Sequence, residues 1–170
     1  AAITAELVLT LVEPQSSGIG GGAFMVHYDA SKGLNESYDG RETAPASAAP
    51  DMFIDAAGKP MPWPKAATGG RAVGVPGTLR MLALAHADHG ILPWADLFQP
   101  AIRLAEDGFK VTPRLAGLLA EDTEMPTIPG TREYFYPDGK PLKAGDTLKD
   151  PDLANVLLAI ADNGAAAFYT

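Results

Sequence analysis

The sequence predicts an α+β chain, mostly helical after residue 76, with an N-terminal helix and a β-hairpin before that point. Three observations carry this. Ile3, Leu7 and Leu11 recur at helical spacing beside Val8, which places them on one face. Phe24, Val26 and Tyr28 alternate with their neighbours, and a weaker strand pattern follows after turn residues. From Pro76 onward, apolar groups at helical spacing are opened by Pro and closed by Gly.

The first helix should end near Val12-Glu13, because Pro14 disfavours helix in the residue before it. Gln15-Ser16-Ser17 then leads into Gly18-Ile19-Gly20-Gly21-Gly22, glycines that permit a tight turn where another backbone passes close. The order helix, glycines, strand argues against a phosphate loop, which runs strand, glycines, helix and carries Gly-Lys-Ser/Thr. Ala23 to Tyr28 reads as a strand, Asp29 to Gly33 as a turn and Leu34 to Asp39 as the returning strand. His27 is out of phase with Phe24, Val26 and Tyr28 and should face the other side. Residues 44–70, rich in Pro, Ala and Gly, read as an irregular wrap.

Pro76-Gly77 opens a helix with Leu79, Leu82, Ala83 and Leu84 as its apolar positions, stopped by Gly90. Pro93 begins a short turn carrying Trp94 and Leu97. Pro100 begins a helix with Ile102, Leu104 and Ala105, closed by Gly108. Thr112-Pro113 is an N-cap with Pro at the first helical position, ahead of Leu115, Leu118 and Leu119. Tyr134 to Lys143 reads as a small hairpin around Pro137-Asp138-Gly139. Asp150-Pro151 repeats the cap arrangement before Leu153, Val156, Leu157 and Ile160, and Gly164 ends that helix.

Composition excludes several function classes. Lys+Arg number 13 against 21 Asp+Glu, a net charge of −8, which argues against nucleic acid as partner. There is no cysteine, hence no disulfide scaffold, Cys nucleophile or thiolate metal site. No apolar run is long enough to span a membrane. The 170 residues read as a single partial domain, 1–170, truncated at both ends. Residue 1 already lies inside the helical pattern with no capping residue before it, and Ala166-Ala167-Phe168-Tyr169-Thr170 is not a polar tail.

Few residues carry chemistry. His86 and His89 could share a metal, but no third ligand is evident, and histidines near a helix C-terminus are more often dipole-stabilised surface groups; no metal is expected. Ser16 and Ser17 lack a Gly-x-Ser-x-Gly context. Tyr38-Asp39-Gly40-Arg41-Glu42-Thr43-Ala44-Pro45 differs, because it puts Arg41 and Glu42 where a strand ends. An arginine fork there suits a carboxylate, although on chemistry alone a surface ion pair is the simpler reading.

Glu13-Pro14-Gln15-Ser16-Ser17-Gly18-Ile19-Gly20-Gly21-Gly22-Ala23-Phe24-Met25, followed by Gly40-Arg41-Glu42-Thr43-Ala44-Pro45, resembles the large-subunit signature of the gamma-glutamyltranspeptidases. The likeness continues through Gly74-Val75-Pro76-Gly77, His86 to Gly90, Leu92-Pro93-Trp94, Gln99-Pro100-Ala101-Ile102 and Pro137-Asp138-Gly139-Lys140-Pro141-Leu142, and so runs along essentially the whole chain. The resemblance implies part of a four-layer αββα fold of the N-terminal-nucleophile hydrolases. It implies a zymogen that cuts itself into a large and a small subunit. The threonine that then leads the small subunit is the nucleophile, with its own amine as base. A gamma-glutamyl group passes from glutathione or a related amide to that threonine, then to water or to an amino acid or peptide. Arg41 takes the role of holding the glutamyl α-carboxylate, and Glu42 is a possible support. No catalytic residue is expected within the chain, no cofactor is implied, and the expected partners are the small subunit and glutathione. Export to the periplasm or the cell exterior is implied as well.

The departure from the family pattern is the threonine-led motif, which is absent: no threonine here is N-terminal or in that context. This chain alone is therefore expected to be inactive. Two rival readings stand beside the first. One is a glutaryl-type (cephalosporin) acylase of the same superfamily, in which Arg41 would meet a side-chain carboxylate. The other is a helical interaction module without catalysis.

Overall fold

The computed structural model describes residues 1–169. The α+β class is the one expected: among the described residues helices dominate after residue 76, and there are two small two-stranded sheets. The chain forms two compact units, one of Ala1–Gly18 with the chain from His86 onward, the other of Ile19–Ala85.

The first unit is helical. Helix α1 (Ala2–Val12) buries Ile3, Leu7 and Leu11, as its spacing requires, and stops before Pro14. In the second unit, strands β1 (Ala23–Asp29) and β2 (Leu34–Gly40) form an antiparallel hairpin. Helix α2 (Trp63–Ala67) follows in the stretch expected to be irregular. This is a correction: the prolines Pro62 and Pro64 fix helical φ at the start of a single turn. The division between the units falls inside helix α3 (Thr78–His89).

In the first unit, helix α4 (Gln99–Asp107) packs on α1. Gly108, at φ +98°, then turns the chain into strand β3 (Phe109–Lys110). Helix α5 (Pro113–Glu121) starts where expected, with the Thr112 hydroxyl accepting from Leu115 N–H at 3.1 Å. Helix α6 (Pro129–Phe135) and strand β4 (Thr147–Leu148) bracket the segment expected to be a hairpin. That expectation holds for the turn and is corrected for its strands. Asp138 and Gly139 both take positive φ, +57° and +73°, with Lys140 N–H donating to the Pro137 carbonyl at 3.2 Å and Leu142 N–H to the Phe135 carbonyl at 3.0 Å. No strand flanks the turn, however: Tyr134 and Phe135 end α6, and β4 pairs with the distant β3, Phe109 opposite Leu148. Helix α7 (Pro151–Asn163) packs on α4 and is capped by Asp150, whose carboxylate accepts from Leu153 N–H at 2.9 Å. Phe98, Ala101, Ile102, Ala105, Leu157 and Ile160 make the dry centre of this unit. The Trp94 indole donates to the Ile160 carbonyl at 3.1 Å, tying the Pro93 turn to α7.

The two caps give a local prediction. Thr112→Ala and Asp150→Ala should each destabilise the chain by about 1 kcal/mol. A fall in urea midpoint with an unchanged slope would report it. Midpoints equal to that of the wild-type chain would deny the caps any energetic role.

In the second unit, α3 buries Thr78, Leu79, Met81, Leu82 and Ala85. Leu84, expected in the core, is 57% exposed, because it lies off the 78/81/82/85 face. The hairpin turn is fixed by Asp29, which accepts from the Ser31 hydroxyl at 2.6 Å and pairs with Lys32 at 3.0 Å. Those contacts, the hydroxyl foremost, hold its carboxyl well below the usual carboxylate range.

Candidate functional site

The end of β2 is held from several sides within the second unit. Asp39 accepts from the backbone N–H of Arg41 at 2.9 Å, which turns the chain as the strand ends. Thr43 and Val75 then exchange both backbone hydrogen bonds, at 3.2 and 2.8 Å. The segment from Gly40 to Thr43 is thereby pinned beside Gly74-Val75-Pro76-Gly77.

Glycine makes the close approach possible. A Cβ at Gly77 would lie 2.6 Å from the carbonyl carbon of Gly40 and 2.6 Å from the Arg41 carbonyl oxygen. A Cβ at Gly22 would lie 2.9 Å from Arg41 Cα, and one at Gly74 would lie 2.7 Å from Glu42 Cβ. The glycine run thus meets a passing backbone, as its composition implied, but only at part of its length: at Gly18 and Gly20 a Cβ would meet nothing within 4 Å. The Gly21 carbonyl accepts from the N–H groups of Gly77 and Thr78 at 3.1 and 3.3 Å and from the Thr78 hydroxyl at 3.0 Å.

Arg41 and Glu42 come together. Arg41 Nη2 lies 3.0 Å from Glu42 Oε2, in a slot bounded by Gly22 and Gly74. The Arg41 side chain is 55% exposed, so this ion pair is screened by water and contributes little to stability. A guanidinium has five N–H donors, so one bond to Glu42 leaves an outward fork. Arg41 lines a cavity of about 300 Å³ with Asp39, Thr43, Arg80 and Met81. Arg80 and the Gly74–Gly77 segment are parts of this surroundings that residue chemistry alone did not single out. The signal for the latter was there, in Gly-Val-Pro-Gly ahead of a helix.

His86 has a structural place. His86 Nε2 sits 2.9 Å from the Leu92 carbonyl oxygen, and its ring lies edge-on to Trp94 at 5.3 Å. Gly90 must be small because a Cβ there would meet the His86 ring.

What this arrangement can do chemically is grip a planar carboxylate: a fork donor, fixed at its backbone on both sides, faces an open cavity. The class defined is an α+β chain with an exposed arginine at a strand end, paired with Glu42 and lining a cavity. The chain belongs to the gamma-glutamyltranspeptidase family, whose profile matches residues 1–170. It is 43% identical over 169 residues to the glutathione hydrolase proenzyme of Bacillus subtilis (strain 168), covering 99% of this chain and 29% of that protein. It superimposes on the crystal structure of Helicobacter pylori gamma-glutamyltranspeptidase with a TM-score of 0.91 at 34% identity, covering 99% of this chain and 48% of the other. The cephalosporin acylase of Bacillus halodurans is also similar, with a TM-score of 0.79 at 27% identity, over 99% of this chain and 32% of the other. The chain thus spans less than a third of the curated relative's length and about half of the Helicobacter structure.

Proposed function

We propose that this chain is large-subunit sequence of a gamma-glutamyl-transferring enzyme and that its part is to hold the donor's α-carboxylate on Arg41. The observation that carries the reading is the Arg41 fork, set at the end of β2 beside Glu42 and open to a cavity. The nucleophile is a threonine leading a small subunit. Its hydroxyl attacks the γ-carbonyl carbon while its own amine takes the proton, and the amine of the leaving group departs with a proton. Water or an amino acid then cleaves the acyl-threonine ester, giving glutamate or a new gamma-glutamyl amide. Oxyanion donors of the small subunit stabilise each tetrahedral intermediate. The precursor is a zymogen that reaches this state by cutting itself.

The β1 face supports a partner subunit. Phe24, Val26 and Tyr28 are 68%, 71% and 60% exposed on a two-stranded sheet. Such a hairpin is marginal alone and gains most from further strands. In the four-layer fold proposed for the whole enzyme, those strands come from the small subunit. The acylase reading is the weaker one, since identity is 43% to a glutathione hydrolase proenzyme against 27% to the acylase. Export to the periplasm or cell exterior follows from the same family reading; no helix among the described residues is long and apolar enough to cross a membrane.

The test is reconstitution. The purified chain should leave a chromogenic gamma-glutamyl anilide intact, and a precursor joining it to a threonine-led small subunit should release the aniline after self-cleavage. Turnover by the chain alone, surviving repeated purification, would overturn the division of labour. Preference of the mature enzyme for glutaryl over gamma-glutamyl amides would favour the acylase.

A further inference from the structure

Phe24 is a large apolar side chain left mostly open to solvent, yet its ring has a partner. Arg41 Cζ lies 5.8 Å from the ring centroid. Strand register explains the meeting. Phe24 stands opposite Asp39, and Arg41 follows two residues later, so alternation brings both side chains to one face of the hairpin end. A guanidinium within about 6 Å of a ring centroid is attracted by the ring quadrupole.

This contact differs in kind from the Glu42 pair. Glu42 holds one N–H of the fork at 3.0 Å and so fixes an edge. The Phe24 ring adds a second contact, with Cζ 5.8 Å from its centroid. A guanidinium held by two such neighbours has less freedom than one in open water. An exposed arginine without such contacts samples many rotamers and must surrender that freedom on binding.

We infer that Phe24 is a positioning residue for Arg41: its ring holds the guanidinium so that the free fork is already aimed when a substrate carboxylate arrives. This rests on the carboxylate role proposed above for Arg41.

The experiment uses the assembled, self-cleaved enzyme. Phe24→Leu keeps the apolar bulk and removes the π face, whereas Phe24→Tyr keeps the ring. Phe24→Leu should raise KM for a gamma-glutamyl amide about two- to five-fold with kcat unchanged. Phe24→Tyr should restore the wild-type KM. For a donor that lacks the α-carboxylate, neither change should move KM. Self-cleavage and an unchanged urea midpoint verify folding. Leu and Tyr variants that behave alike, or a Leu variant that raises KM equally for both donors, would overturn the inference while leaving Arg41's role intact. Arg41→Lys reports on that role separately: were it silent for the gamma-glutamyl donor, the underlying reading would fall, and this one with it.

Discussion

Arg41→Lys in the assembled enzyme should weaken gamma-glutamyl binding about ten- to a hundred-fold. A charge-assisted hydrogen bond contributes about 1.5–3 kcal/mol, and each ~1.4 kcal/mol is tenfold in an equilibrium constant. Lysine keeps the charge but not the two-pronged geometry. It also has no planar face to lay on Phe24 or edge to offer Glu42, so both contacts that orient Arg41 are lost or loosened. The effect should fall on KM, since the carboxylate lies away from the reacting carbonyl and is held equally in ground and transition states. Self-cleavage should proceed, because the threonine is not touched. A donor without an α-carboxylate should be indifferent to the change. Steady-state kinetics on the two donors check this. Equal KM values for mutant and wild type on the normal donor would reduce Arg41 to a surface ion-pair partner of Glu42.

Much of the fold was legible because its signals are local. Pro14 ends α1, and Thr112 and Asp150 cap α5 and α7 with the hydrogen bonds their side chains imply. What was missed depends on distant partners or on ambiguous turn chemistry. Strands β3 and β4 are two residues each and meet across 37 positions of sequence, too short for any alternation to be read. Pro137-Asp138-Gly139 is legible as a turn, and Asp138 at φ +57° with Gly139 at +73° makes one of hairpin type, but the residues before it, Tyr134 and Phe135, end α6 and not a strand. Leu84 is apolar but off the buried face of α3, and composition alone does not mark the face. At the candidate site, Arg41 and Glu42 are visible as adjacent residues at a strand end. Phe24 is not, since only the β1–β2 register places it under the guanidinium.

The glycine before α3 should be the most sensitive backbone position around Arg41. Gly77→Ala adds one methyl group where the nearest atoms are main chain: the Gly40 carbonyl, with its carbon 2.6 Å away, and the Arg41 carbonyl oxygen at 2.6 Å. A flexible side chain could swing aside, but these atoms belong to the end of β2. Moving them strains the Thr43–Val75 bridge at 3.2 and 2.8 Å and the bond from Gly77 N–H to the Gly21 carbonyl at 3.1 Å. Overpacking of this kind costs about 1–3 kcal/mol and occasionally more. Gly77 is not at positive φ, so the cost comes from contact and not from backbone strain. Gly20→Ala is the control: a Cβ there meets nothing within 4 Å, and its φ is not positive either. Such a substitution should stay within about 0.5 kcal/mol. Urea unfolding of the purified chain separates the two, with a lowered midpoint for Gly77→Ala alone. In the assembled enzyme Gly77→Ala should also raise KM for gamma-glutamyl donors, because the strain is relieved by displacing the peptide that carries Arg41. Identical midpoints for the two alanine variants would mean that the β2 end yields freely, and that the glycines around Arg41 do not fix its position.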